Sequence, residues 1–123
     1  MPAKILIVDD EPEILFILKA RLEAAQYQTV TAQNAEEALA KYKTEKPDLI
    51  ILDILLPGIS GIELCKEFKK NPVTRQIPVV FYTSIDTPKH LINYESYGAV
   101  DYLQKTNTAD VLIKAIKKVL EQK

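Results

Sequence analysis

Short, nearly unbroken apolar runs alternate along the chain with stretches whose apolar residues recur at helical spacing. Ile5-Leu6-Ile7-Val8 is a β-branched run, and Glu13 to Ala25 follows with apolar positions at Ile14, Leu15, Leu18 and Leu22. Tyr27 to Ala32 predicts a second strand. Ala35 to about Lys43 predicts a second helix, with Asn34 and Glu37 at the spacing of an N-terminal cap. Asp48 to Leu52 predicts a third strand, and Ser60-Gly61-Ile62-Glu63 has the form of a capping box opening a helix to about Lys70. Val79 to Tyr82 predicts a fourth strand, after which Thr87-Pro88 places a cap and a first-turn proline at a fourth helix. Ala99 to Leu103 predicts a fifth strand. Leu112, Ile116 and Leu120 beside Val111, Ala115 and Val119 then form the apolar stripe of a fifth helix.

Five strands, each followed by a helix, predict an α/β fold: a doubly wound parallel sheet with five helices spread over both faces. The first, third and fourth strands are almost continuously apolar, as central strands covered on two faces must be. The second alternates polar and apolar residues and the fifth carries Asp101, so both read as edges. A strand order of 2-1-3-4-5 satisfies this, which is the flavodoxin-like winding. Pro57-Gly58 and Asn71-Pro72 mark turns, and with no repeat, low-complexity tract or linker, residues 1–123 read as one domain.

Composition narrows the classes of function. Sixteen basic against seventeen acidic residues leave a formal charge of −1, which gives no basic field to attract nucleic acid. Lys114, Lys117, Lys118 and Lys123 fall largely off the apolar stripe of the last helix and read as a solvated face. No apolar run approaches the roughly 20 residues of a membrane span. Cys65, alone of its kind, cannot form an internal disulfide and reads as a small buried hydrophobe, which suits a reducing, cytoplasmic setting. His90 reads as a surface residue.

In a sheet of this winding the ligand crevice lies beyond the carboxyl ends of the strands. The first strand ends in Asp9-Asp10 with Glu11 next, the third in Asp53, the fourth in Thr83-Ser84, and Lys105 follows the fifth. Three carboxylates converging there repel one another unless a cation shares the site. With no His or Cys at hand, a hard, oxygen-liganded ion such as Mg²⁺ is the best candidate. Two carboxylates, a metal, a lysine and a hydroxyl also suit a phosphoryl group. Lys105 would neutralise its oxygens, Thr83 would donate a hydrogen bond, and Asp53 would be the nucleophile.

These residues carry a resemblance. Lys4-Ile5-Leu6-Ile7-Val8-Asp9-Asp10-Glu11-Pro12, Asp48 to Asp53 with Leu56-Pro57-Gly58, Ile77-Pro78-Val79-Val80 with Thr83, and Gly98-Ala99 with Asp101-Tyr102-Leu103-Gln104-Lys105 resemble the receiver domain of two-component response regulators, in order and from Lys4 to about Leu120. The resemblance implies a regulatory switch rather than an enzyme, with Asp53 accepting phosphate from a sensor histidine kinase or a phosphotransfer protein. It implies Mg²⁺ held directly by Asp10, through water by Asp9, and by Asp53 and the Leu55 backbone carbonyl. Thr83 and Lys105 would contact the phosphoryl oxygens, and Tyr102 stands at the switch aromatic. The face made by the fourth helix, fifth strand and fifth helix would then change for an output partner, and a phosphorylation-dependent homodimer is compatible with it. Nucleic acid and membrane are not implied as direct partners.

The chain departs from the family pattern at Thr106, where proline usually follows the lysine, and at Ser84, where alanine or glycine is usual. The resemblance therefore leaves open whether the Lys105-Thr106 peptide is cis or trans. Leu55 and Ile85 are apolar at positions that, by the resemblance, flank the phosphoryl group, which predicts slow attack by water. Three readings compete with these. Asp9 and Asp10 could merely cap the first helix, since Asp10 with Pro12 and Glu13 makes a plausible N-terminus; the site could serve a Mg²⁺-dependent phosphohydrolase, although Leu55 replaces that class's second acid; or the fold could be a phosphate-independent interaction module.

Overall fold

The computed structural model describes residues 2–85, 92–105 and 109–121. Strand β1 (Lys4–Val8) leads into helix α1 (Pro12–Ala24), then β2 (Gln28–Ala32), α2 (Ala35–Glu45), β3 (Leu49–Leu52) and α3 (Gly61–Lys70). Strand β4 (Val79–Thr83), a 3-10 helix (Tyr94–Tyr97), β5 (Asp101–Gln104) and α4 (Ala109–Glu121) complete the described elements. The five strands are parallel in the order β2-β1-β3-β4-β5, as the edge and centre signatures predict. Of the five helices predicted, four α-helices lie among the described residues. The one expected from Thr87-Pro88, together with His90, Thr106 and Lys123, lies outside them.

Period-two alternation splits the core into two layers. Leu6, Val8, Ile50, Leu52 and Phe81 face α2 and α3, packing on Ala38, Tyr42, Leu64, Cys65 and Phe68. Ile5, Ile7, Leu49, Ile51, Val80 and Tyr82 face α1 and α4, packing on Leu15, Leu18, Leu22, Leu112 and Ile116. Every residue of β3 and β4 is buried, whereas β2 is only part-buried, as expected of an edge. Of the three predicted N-caps, the two among the described residues form. Asn34 Oδ1 accepts from Glu37 N–H at 2.8 Å, and Ser60 Oγ accepts from Glu63 N–H at 3.2 Å.

Several element boundaries move by one or two residues from the sequence reading, and two of them bear on the site. Strand β5 begins at Asp101 rather than Ala99, because the Ala99 N–H donates to Tyr94 O and closes the 3-10 turn instead of joining the sheet. Helix α1 starts at Pro12 with Glu11 as its N-cap residue, so Asp10 does not start the helix. Exposed and beside Asp9, Asp10 is left for the crevice.

Candidate functional site

The sheet ladder runs one residue past several strand ends and fixes the polar residues there. Asp9 N–H donates to Ala32 O at 3.0 Å, Asp53 N–H to Val8 O at 3.0 Å, and Lys105 N–H to Thr83 O at 2.8 Å. Each candidate is thus stapled by its own backbone to the neighbouring strand before its side chain does anything. Helix α3 supports Asp53 from behind. Gly61 N–H donates to Ile54 O at 2.8 Å, and a Cβ at Gly61 would collide with the Asp53 carbonyl oxygen and lie 2.8 Å from its carbonyl carbon. Only glycine lets the helix start this close to the Asp53 backbone.

Lys105 joins the acids. Its Nζ lies 2.8 Å from Asp9 Oδ2, 2.9 Å from Glu11 Oε1 and 2.9 Å from Asp53 Oδ2. The other oxygens of the two buried aspartates are held by backbone: Asp9 Oδ1 accepts from Glu11 N–H at 2.9 Å, and Asp53 Oδ1 from Leu55 N–H at 3.1 Å. Oxygens of Asp9, Asp10, Glu11 and Asp53 all lie within 4.8 Å of one another.

Burial pushes the Asp9 carboxyl above its ordinary range, against the opposing pull of the Lys105 hydrogen bond and the Glu11 N–H, while the Asp53 charge raises it further. Burial disfavours the Lys105 ammonium too, but hydrogen bonds to Asp9, Asp53 and Glu11 outweigh it and hold that proton firmly. Four carboxylates face one ammonium, so the cluster keeps an excess of negative charge, part of it out of water. An all-oxygen donor set with uncompensated charge fits a hard divalent cation.

Thr83 is fully buried at the end of β4, and its Oγ1 accepts from Ile85 N–H at 3.4 Å, which leaves the hydroxyl proton available. Tyr102 does not join the acids. It is buried under the same layer as Phe81 and donates its hydroxyl to Ile85 O at 3.2 Å, with Tyr94 stacked 6.4 Å away. Leu55 is about half exposed at the mouth of the site, Ile85 is half-buried and Ser84 is exposed.

The structure therefore gathers Asp9, Asp10, Asp53 and Lys105 into one cluster and sets Thr83 beside it through the β4–β5 ladder. It also adds residues to which the sequence reading gave no role. Glu11 binds Lys105, and its signal was a third acid in succession after a strand. Gly61 has a packing role that its place in a capping box concealed. Gln104, opposite Thr83 in the ladder, gave no signal.

A model of the response regulator receiver domain matches residues 5–117. Among curated relatives, the chain is 38% identical over 122 residues to the alkaline phosphatase synthesis transcriptional regulatory protein PhoP of Bacillus subtilis, covering 99% of this chain and 50% of PhoP. It is 36% identical over 118 residues to protein PilH of Pseudomonas aeruginosa, covering 96% of this chain and 98% of PilH. The chain thus spans half the length of the first relative and nearly all of the second. In structure it is similar to the BeF3-activated N-terminal receiver domain of Klebsiella pneumoniae RstA, with a TM-score of 0.84 and 34% identity over 93% of this chain and 95% of that one. Because the match runs from the first strand into the last helix rather than over a fragment, this chain belongs to the response regulator receiver domain family.

Proposed function

We propose that the chain, read as one receiver unit over residues 1–123, is a phosphorylation-dependent switch of a two-component relay whose phosphoacceptor is Asp53. One observation carries this reading: Asp53 is buried at the carboxyl edge of the sheet, with one oxygen held by Lys105 and the other by the Leu55 N–H. A carboxylate so fixed needs little reorganisation to attack. An Asp53 oxygen forms the new bond to phosphorus as the donor's bond to phosphorus breaks. The electron pair leaves with the donor, a phosphohistidine on a sensor kinase or a phosphotransfer protein.

Lys105, already 2.9 Å from Asp53, then meets the phosphoryl oxygens, and the Thr83 hydroxyl donates to one of them. Asp10, Asp9, Asp53 and the Leu55 carbonyl are the groups that would hold Mg²⁺. When bound, that ion neutralises charge on the transferring group. The new dianion draws Thr83 and Lys105 towards itself, with Tyr102 as the aromatic that follows. The readout is the face comprising the segment after β4, β5 and α4. It serves an output partner or a second copy in the cytoplasm, and nucleic acid and membrane are not direct partners. The chain acts as a substrate of phosphotransfer, assisting its own phosphorylation and dephosphorylation only. Likeness to a receiver that BeF3 activates supports this reading.

The acyl phosphate can be located chemically. Borohydride reduces an aspartyl phosphate to homoserine, so treatment after phosphorylation with acetyl phosphate should convert position 53 alone, seen by peptide mass mapping. Homoserine at 9 or 10, or none beside a stable phosphoryl group elsewhere, overturns the assignment.

A further inference from the structure

The carbonyl of Ile85, two residues past Thr83, receives two side-chain donors at once. Tyr102 Oη–H reaches it at 3.2 Å and Gln104 Nε2–H at 3.1 Å. Tyr102 and Gln104 are two apart on β5, so period-two alternation sends both to one face of the sheet. Gln104 stands directly opposite Thr83 in the ladder. At its other end Ile85 donates its own N–H to Thr83 Oγ1 at 3.4 Å. Both lone pairs of the carbonyl are thereby engaged, and Ile85, whose N–H orients the Thr83 hydroxyl, is held at both its backbone N–H and its carbonyl.

We propose that Gln104 is a positioning residue for the phosphoryl site. It holds the Ile85 carbonyl, and through the backbone of that residue its N–H and the Thr83 hydroxyl, in place whether or not the Tyr102 ring stays inward. A carbonyl with a single donor would be released whenever that donor moved. With Gln104 as second donor the loop after β4 keeps its seat when the tyrosine leaves, so the anion site is preformed and only the ring position is left to switch. Gln104 touches neither Asp53 nor Lys105 in any hydrogen bond of the described residues, so its effect runs through Thr83. This rests on the reading of Asp53 and Thr83 as the phosphoryl site.

The test uses the whole chain, Mg²⁺, and beryllofluoride as the phosphoryl mimic, in wild type, Gln104→Leu, Gln104→Lys, Tyr102→Phe and the Gln104→Leu/Tyr102→Phe pair. Loss of one donor should weaken beryllofluoride binding by roughly two- to fivefold. Gln104→Lys, which still donates, should restore it. The double variant should lose more than the product of the two single losses, because the carbonyl then lacks both Tyr102 and Gln104 as donors. Mg²⁺ affinity should be unchanged throughout.

Losses that merely multiply, or a Gln104→Leu chain that binds like wild type, overturn the clamp. If wild type itself takes no beryllofluoride, the phosphoryl reading fails instead. The clamp is then judged without ligand by the carbonyl carbon-13 resonance of Ile85. That resonance must shift in Gln104→Leu and return in Gln104→Lys; an unmoved resonance refutes it.

Discussion

Leu55 binds Asp53 through its backbone and leaves its side chain about half exposed over the site, so it offers an attacking water no hydrogen-bond partner. Replacing it with asparagine supplies one. The phosphoryl lifetime in wild type should therefore exceed that in Leu55→Asn by a factor of roughly 3–10, the worth of one hydrogen bond, measured by release of inorganic phosphate. Equal lifetimes would remove the apolar side chain from the account. Cys65 gives a separate residue-scale prediction. Its thiol is fully buried and donates to Tyr97 O at 3.2 Å, and burial raises it from 9.0 to about 11. Below pH 9 both folded and unfolded chains keep the proton. As pH rises from 9 towards 11 only the unfolded chain loses it, so stability falls, by up to about 1.4 kcal/mol per pH unit. Urea denaturation should show that decline reduced in Cys65→Ala. The comparison isolates the thiol from Tyr27 and Tyr82, whose hydroxyls burial also raises. Parallel pH profiles would contradict it. The burial itself was readable from Leu64 and Phe68 beside the cysteine, but its carbonyl partner, 32 positions away, was not.

Helix α3 begins where it does because Gly61 has no side chain to strike the Asp53 backbone. Gly61→Ala must push α3 and β3 apart, a cost of about 1–3 kcal/mol for overpacking, visible as a lower urea midpoint. It should also weaken Mg²⁺ binding, because Asp53 moves with its carbonyl; an unchanged midpoint and Mg²⁺ affinity would show that the helix start is not what seats Asp53. Element positions in general were legible, since strand order follows from which runs are apolar throughout and which alternate. Boundaries were less so. Ala99 and Val100 look as strand-like as Leu103, yet Ala99 is engaged by the preceding 3-10 turn, a competition that apolar pattern does not register. Similarly, the competing reading in which Asp9 and Asp10 cap the first helix gives way because Asp9 takes the Glu11 N–H and Glu11 becomes the N-cap residue.

At the scale of the whole molecule, winding order brings residues 9–11, 53 and 105 to one edge, which is why the site could be located from the polar residues that end apolar strands. What the winding order does not convey is which side chains then meet. Glu11 and Lys105 are 94 positions apart and pair only because the packed sheet sets α1 and β5 at the right reach. The excess of negative charge makes folding and cation binding interdependent. Mg²⁺ at a hundredfold over its dissociation constant should stabilise wild type by about 2.7 kcal/mol. Asp10→Asn should melt higher than wild type in metal-free buffer, having lost one of four crowded carboxylates, and should gain much less from Mg²⁺. A variant that melts lower without metal, or gains as much from it, would argue against an electrostatically strained site. The central claim, transfer of a phosphoryl group to Asp53 with help from the metal, is tested most directly by intact mass after incubation with acetyl phosphate, with and without Mg²⁺, beside Asp53→Asn. The account predicts the gain of a single phosphoryl group that requires both the metal and Asp53; no gain in a folded chain that binds Mg²⁺, or the same gain in Asp53→Asn, would contradict it.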